Sequence, residues 1–279
     1  MRISEEMVIP STHFKKSVAS IYETETLGSL LKGIFHPGGL DLTKRAAEIA
    51  QAHAGNQVLD IACGTGGGCC LFAEAYGCTA VGIDISEKKI ASAKARTKMA
   101  GLEGQADFIV SDAEFLPFSE ASFDLVISEC SFSILPNKRQ AALEISRVLR
   151  PRGRAVIADI VLKGNTPEPE DVCLARSQVP LFACVAGAGP LDAYVEIFER
   201  TGLHKTRIED HTVAFKKIAY RMALAYGDWE NFLCKLCSEL SLPPLESEAT
   251  HARSSSLERS EKIFSKANLG YVLIVLTKS

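Results

Sequence analysis

Apolar residues recur along the chain at two periods. Over 18–35 ("VASIYETETLGSLLKGIF") and 40–54 ("LDLTKRAAEIAQAHA") they fall at helical spacing, and the breaker "HPGG" at 36–39 separates the two stretches. From residue 57 onward, short apolar runs alternate with amphipathic ones. This pattern predicts strands over 57–62, 79–84, 106–112, 123–129 and 154–162, and helices over 67–76, 86–101 and 138–149. Strand and helix in regular succession imply right-handed crossovers and a parallel sheet covered on both faces. Past residue 162 the polar loop "KGNTPEPEDV" leads into the apolar "VPLFACVAGAG" at 179–189. A helix over 191–201, a strand over 203–209, a largely helical stretch over 211–240, a polar helix or loop near 246–264 and a final strand over 271–277 follow. With no linker long enough to divide it, the chain is expected to form a single α/β domain over 1–279. Its parts are an N-terminal helical lid (1–55), a core (57–162) and two insertions (163–190 and 211–268).

Composition narrows the chemistry. A chain of 279 residues, 47% hydrophobic and 23% charged, can bury a full core, and a formal net charge of -3 offers no basic surface for nucleic acid or anionic lipid. A small-molecule partner is the expectation. The opening "MRISEEMVIPSTHFKK" lacks the basic region and apolar run of a secretory signal, and no apolar stretch reaches bilayer length, so a cytoplasmic, non-membrane protein is expected. Nine cysteines then read as reduced thiols rather than a disulfide framework. Most are expected to pack as small hydrophobes, among them Cys63, Cys69, Cys70 and the pair in "CKLC" at 234–237, which the spacing places on one helix face.

"VLDIACGTGGGCC" (58–70) ends an apolar strand on Asp60 and breaks into glycines, the form of a turn whose backbone passes close to a ligand. Asp84, at the tip of "VGIDIS" about 20 residues past that turn, is placed to accept both hydroxyls of a ribose. Asp112, in "SDAEFLPF", is placed to accept the amino proton of an adenine. Each acid alone also suits a turn or a helix cap. In "HPGGLDLT", Asp41 or Thr43 reads as the cap of the next helix, and the glycine pair also suits a lid closing over the ligand. His211 is expected to open a helix after the strand over 203–209.

Taken in order, "VLDIACGTG", "VGIDIS", "SDAEFLPFSEASFDLVIS" and "EISRVLRPRGRAVIAD" resemble the class I S-adenosylmethionine-dependent methyltransferases over residues 57–162. The last strand, "GYVLIVLTK", is similar to that family's closing antiparallel strand. The resemblance implies a Rossmann-like, doubly wound, mostly parallel sheet with helical insertions, S-adenosylmethionine as cofactor, and a cofactor set of Asp60, Ala62, Gly64, Gly66, Asp84, Ile85, Asp112, Ala113 and Ser128. Asp60, Gly64 and Gly66 would hold the methionine end, Asp84 the ribose, and Asp112 with Ala113 the adenine. Where that family usually carries a glycine, this chain has Ala62.

Methyl transfer from a sulfonium is an in-line displacement that needs an aligned nucleophile and exclusion of water. The nucleophile is expected near the end of the fourth strand, in "ISECSFSILPNK", where Cys130 stands. Cys184, in "FACVAGAG", lies in a segment that can fold back across that strand end. Thiolates select soft centres, and a trivalent metalloid with a lone pair is both soft and nucleophilic. "CSFSILPNKRQAALEISRVLRPRG" and "CVAGAG" resemble the corresponding segments of the arsenite methyltransferases, although the further cysteines that family carries before the first strand have no counterpart ahead of Cys63. The resemblance implies a metalloid held by Cys130 and Cys184, with Cys173 as a third candidate ligand and no resident metal. Transfer to carbon, oxygen or nitrogen of a small metabolite, and a non-catalytic cofactor- or metal-binding regulator, are the other readings. The sequence leaves the oligomeric state open.

Overall fold

Strand β1 (Gln57–Ile61) buries Val58, Leu59 and Ile61 along with Asp60, as a strand covered on both faces does. It lies at the centre of the sheet, between β2 (Thr79–Asp84) and β4 (Phe123–Glu129), parallel to both. The computed structural model describes residues 11–31, 33, 36–163, 183–227, 229–241 and 269–279. Strand β3 (Ala106–Val110) flanks β2, and β5 (Leu149–Leu162) flanks β4, both in parallel register. Beyond β5 the direction reverses. The strand β8 (Leu269–Lys278) runs antiparallel between β5 and β7 (Leu203–Asp210), and the two-residue β6 (Gly189–Pro190) pairs with the tip of β5. The resulting order is β3-β2-β1-β4-β5-β8-β7. Strand order reverses between β1 and β4, so a crevice opens above their carboxyl ends.

Helices cover both faces. On one, α3 (Gly39–Ile49), α4 (Gly67–Tyr76) and α5 (Glu87–Ala100) bury Leu42, Ala46, Phe72, Ile90 and Ala93 against the sheet. On the other, α6 (Lys138–Val148) and α8 (Leu191–Glu199) pack with Phe132, where Tyr194 and Phe198 stack on its ring at 5.3 and 4.7 Å. Between them in sequence sits the four-residue α7 (Ala183–Ala186). A separate apolar cluster joins α1 (Ser11–Tyr22) and α2 (Glu25–Leu30) to α9 (Thr212–Tyr226) and α10 (Trp229–Glu239), through Ile21, Leu27, Leu30, Met222, Phe232 and Leu236. This is the helical cap over the crevice.

The mostly parallel sheet with an antiparallel closing strand is as expected. Local differences have local causes. The helix expected over 18–35 is two helices, because Thr24 turns to an extended conformation and caps α2 through Leu27 N–H. The helix after "HPGG" begins at Gly39 with Gly38 as its cap, so neither Asp41 nor Thr43 caps it: Asp41 lies in the first turn and Thr43 is buried mid-helix. Gly227 ends α9 and divides the stretch expected over 211–240, while His211 does stand at the start of α9. Of the "CKLC" pair, Cys237 is buried and Cys234 exposed, so the two do not share one packed face. The loop expected after residue 163 and the element near 246–264 lie outside the described residues.

Candidate active site

The crevice above β1 and β4 holds a cleft whose walls come from strand ends and the first helix. Ala62, Gly64, Asp84, Ile85, Asp112 and Ala113 line it, as do Lys15 and Tyr22 of α1 and Glu129 and Cys130 at the end of β4. Asp84 is fixed by two backbone donors: Gly64 N–H reaches Oδ2 at 3.0 Å and Ser86 N–H reaches Oδ1 at 2.9 Å. Burial raises its pKa above the usual carboxylate value, against the pull of those two donors. Asp112 accepts Lys15 Nζ on both oxygens, at 3.0 and 2.7 Å, and Lys15 also pairs with Glu114 at 2.7 Å. A lysine on α1 thus fastens the cap to the acid at the third strand's end.

Not every glycine of the turn faces the cleft. Gly66 has φ +76°, and a Cβ there would lie 2.7 Å from the Phe108 ring and 2.9 Å from Ala93, so its role is close packing of α4 on the sheet. Ala62 takes φ +57° without being glycine, a conformation that costs an L-residue about 1 kcal/mol. Cys63 packs behind the turn: a Cβ on Gly82 would lie 2.7 Å from its Sγ. Cys69 is fully buried and donates to Asp60 Oδ2 at 3.6 Å, and Cys70 turns to Thr97. Ser128 does not line the cleft; its hydroxyl is 2.7 Å from that of Ser131, which does.

A second, smaller cavity shares Ala62, Gly64 and Glu129 with the cleft and extends to His36, Asp60, Thr65 and Gly68. Asp60 is 6% exposed, and burial, reinforced by the charge of Glu129, raises it well above the usual carboxylate value. Glu129 accepts Thr43 Oγ1 on Oε2 at 2.9 Å, with His36 Nε2 3.5 Å from the same oxygen. Burial pushes Glu129 up to about 7 and His36 down to about 4.

On the cap side of the cleft, Cys130 and Cys184 meet in a side-chain hydrogen bond, although 54 residues separate them in sequence. Cys130 sits at φ +56°, with its N–H donating to Ala158 O at 2.7 Å. Tyr22 hydrogen-bonds Cys184 from α1, and the fully buried Asp159 of β5 lies close to both thiols. Cys184 falls below the usual thiol value because Cys130 and Tyr22 donate to it, whereas Cys130, the donor, is raised by that bond and by burial. Cys173 lies outside the described residues. Among the described residues no group of three or more His, Cys, Asp or Glu side chains forms a metal cage.

Sequence reasoning missed Lys15, Tyr22, His36 and Glu129. Helical spacing over 18–35 includes Tyr22 but does not say which thiol it reaches, it leaves Lys15 outside the expected helix, and Glu129 stands in the expected fourth strand with no signature of its own.

A family profile described as a methyltransferase domain matches residues 52–211. The chain is 33% identical over 175 residues to methyltransferase GfsG of Streptomyces halstedii, covering 62% of this chain and 61% of that protein. It is 32% identical over 170 residues to the 27-O-demethylrifamycin SV methyltransferase of Amycolatopsis mediterranei, covering 61% of each. To the arsenite methyltransferase of Halobacterium salinarum it is 30% identical over 190 residues, 67% of this chain and 46% of that one. The matches thus span less than two thirds of the length of each of these three relatives. Among solved structures, the [4+2]-cyclase SpnF superposes with a TM-score of 0.73 at 19% identity over 96% of both chains. The Haemonchus contortus phosphoethanolamine N-methyltransferase 2, in complex with S-adenosyl-L-methionine, does so with 0.72 at 20% identity over 98% of this chain and 60% of that one. At these identities the superpositions establish the fold.

Proposed function

Because the chain belongs to the methyltransferase-domain family, we propose that it transfers the methyl group of S-adenosylmethionine to a trivalent metalloid, such as arsenic, held by Cys130 and Cys184. The donor set of the cleft fits this cofactor. Asp84 offers carboxylate oxygens to ribose hydroxyls, Asp112 an acceptor for the adenine amine, and Ile85 and Ala113 apolar surface for the purine. When bound, the cofactor supplies a sulfonium methyl open to nucleophilic attack. The chain's task is to hold the acceptor in line with that methyl and keep water out.

The observation that carries the acceptor reading is that Cys130, which lines the cleft, shares a side-chain hydrogen bond with Cys184. Arsenite would exchange two hydroxides for the two sulfurs, releasing two waters. The arsenic lone pair then forms the new As–C bond, the C–S pair stays on the departing sulfur as S-adenosylhomocysteine, and arsenic passes from the trivalent to the pentavalent state. Each thiol gives up its proton to a departing hydroxide, and the hydrogen bonds that Tyr22 and Cys130 donate to Cys184 ease the loss of its proton.

A second reading, transfer to oxygen, nitrogen or carbon of a small metabolite, is favoured by the apolar cleft wall of Val18, Ala19, Ile134 and Leu135. One assay separates the two. Labelled S-adenosylmethionine, arsenite and a small thiol are incubated with the protein, and methylated arsenic and S-adenosylhomocysteine are measured. The metalloid reading expects turnover that falls at least about 100-fold in Cys130→Ser and in Cys184→Ser, with cofactor affinity unchanged. Turnover with organic acceptors alone selects the second reading. Cofactor binding without turnover on any acceptor would make the chain a regulator.

A further inference from the structure

Helix α1 lies over the cleft on one face. Lys15, Val18, Ala19 and Tyr22, at the spacing of one helical stripe, all line it. Two of these four end on groups that the ligands need. Lys15 Nζ holds both oxygens of Asp112, at 3.0 and 2.7 Å, and Oδ1 also accepts Glu114 N–H at 3.0 Å, so the acid assigned to the adenine amine is already engaged. Two turns further along, the Tyr22 hydroxyl donates to Cys184, one of the two sulfurs assigned to the metalloid. Lys15 has a buried second partner, Glu114 at 2.7 Å, so its charge is not stranded when Asp112 is given up.

Each ligand takes one of these anchors from the helix. An adenine amine is a neutral donor, and the ammonium it meets on Asp112 makes a charge-assisted bond roughly twice as strong. The nucleoside therefore settles on that carboxylate only by drawing Lys15 off it. A sulfur bonded to arsenic shares its electrons with the metalloid and accepts a hydrogen bond less well, so Tyr22 loses its hold as the As–S bond forms. We propose that α1 is a latch, closed by Lys15 on Asp112 and Tyr22 on Cys184, whose opening makes cofactor and metalloid each promote the other's binding; the inference rests on the two ligand readings above. The helix has an anchored and a released state, and both ligands favour the second. Their coupling is reciprocal. Lys15 is a positioning residue here, acting on the thiol pair only through the helix it shares with Tyr22.

Equilibrium dialysis of arsenite against wild-type protein, with and without saturating S-adenosylhomocysteine, tests the latch. Arsenite is expected to bind about tenfold more tightly when the nucleoside is present, and the nucleoside about tenfold more tightly when arsenite is. Equal affinities would mean that Lys15 swings to Glu114 while α1 stays in place, and weaker binding that the ligands compete for one space; either overturns the proposal. Each anchor is then removed and read at the ligand it does not touch. Lys15→Met should tighten arsenite binding about fivefold in the absence of nucleoside, and Tyr22→Phe should tighten S-adenosylhomocysteine binding about fivefold in the absence of arsenite. A side chain that only supports the fold would weaken the far ligand or leave it unchanged, and that result overturns its part in the latch. Should a variant fail to fold, the wild-type measurement still decides. No binding of arsenite under either condition would remove the metalloid reading and the latch with it, and no binding of the nucleoside would remove the cofactor reading. The latch alone fails when both bind and neither affects the other.

Discussion

On the nucleoside side of the cleft, the acids hang from the ends of adjacent strands within residues 60–112, and their backbone partners come from the next turn: Gly64 and Ser86 for Asp84, Glu114 for Asp112. The thiol side is assembled from segments far apart in the chain, namely Tyr22 of α1, Cys130 after β4 and Cys184 of α7. The first side is local and rests on the sheet. The second is non-local, and part of it rests on a cap with its own small core. A cleft built this way can keep one ligand while the opposite wall varies, and sheet-borne sites hold their geometry more tightly than sites on short helices and loops.

Four substitutions would break or sharpen this contrast. The largest effect is expected at Gly66, where alanine places a Cβ against Phe108 and Ala93 in a left-handed conformation. Urea unfolding of Gly66→Ala should show a loss of about 3 kcal/mol. A loss under about 1 kcal/mol would mean the packing behind the turn is not rigid. Next comes His36, whose folded pKa of about 4 lies below the unfolded value of about 6.5. Between those values the unfolded chain takes a proton that the folded protein refuses, so acid costs stability on the order of 3 kcal/mol over the window. The stability difference between wild type and His36→Gln should change with pH from 6.5 to 4, in wild type's disfavour toward acid, and a flat difference would contradict a buried neutral imidazole. Glu129 runs the other way: raised to about 7, it disfavours folding as pH climbs from about 4.5 toward that value, so in wild type the two slopes oppose each other.

A smaller effect is expected from Asp84→Asn, about 30-fold in S-adenosylmethionine affinity with metalloid affinity unchanged. Equal losses for both ligands would show that the two walls are not separable. The smallest change is a gain: Ala62→Gly relieves the left-handed alanine, and thermal unfolding should rise by the equivalent of at most about 1 kcal/mol.

The difference between the two walls also decides how much of the site was legible. Asp84, Ile85, Asp112 and Ala113 were readable because a strand end fixes where its tip residues go, and the structure places all four in the cleft. Ser128 was misplaced by the same logic: one residue before the strand end, alternation turns its side chain toward Ser131. Gly66 reads as a ligand contact from spacing alone, because the Phe108 ring that needs its bare backbone sits 42 residues away. Thr43 looked like a cap and is instead the donor to Glu129, since the helix begins four residues earlier, at Gly39. The meeting of Cys130 and Cys184 required a topological guess about a returning segment, which the contact between them supports. Lys15 had no signature at all, for its place on Asp112 depends on tertiary neighbours.

Strand order carries a further consequence for how the molecule comes together. Among the described residues β7 pairs only with β8, and β8 is also the antiparallel neighbour of β5, so a segment more than a hundred residues downstream of β5 must arrive before the sheet's far half can form. The parallel half, β1 to β5, can assemble from neighbouring βα units while that segment is still being made. Loop closure over such a separation slows the final step, and until then β5 exposes an open apolar edge. Refolding should therefore proceed in two phases, the faster one building the wall that carries Asp84 and Asp112.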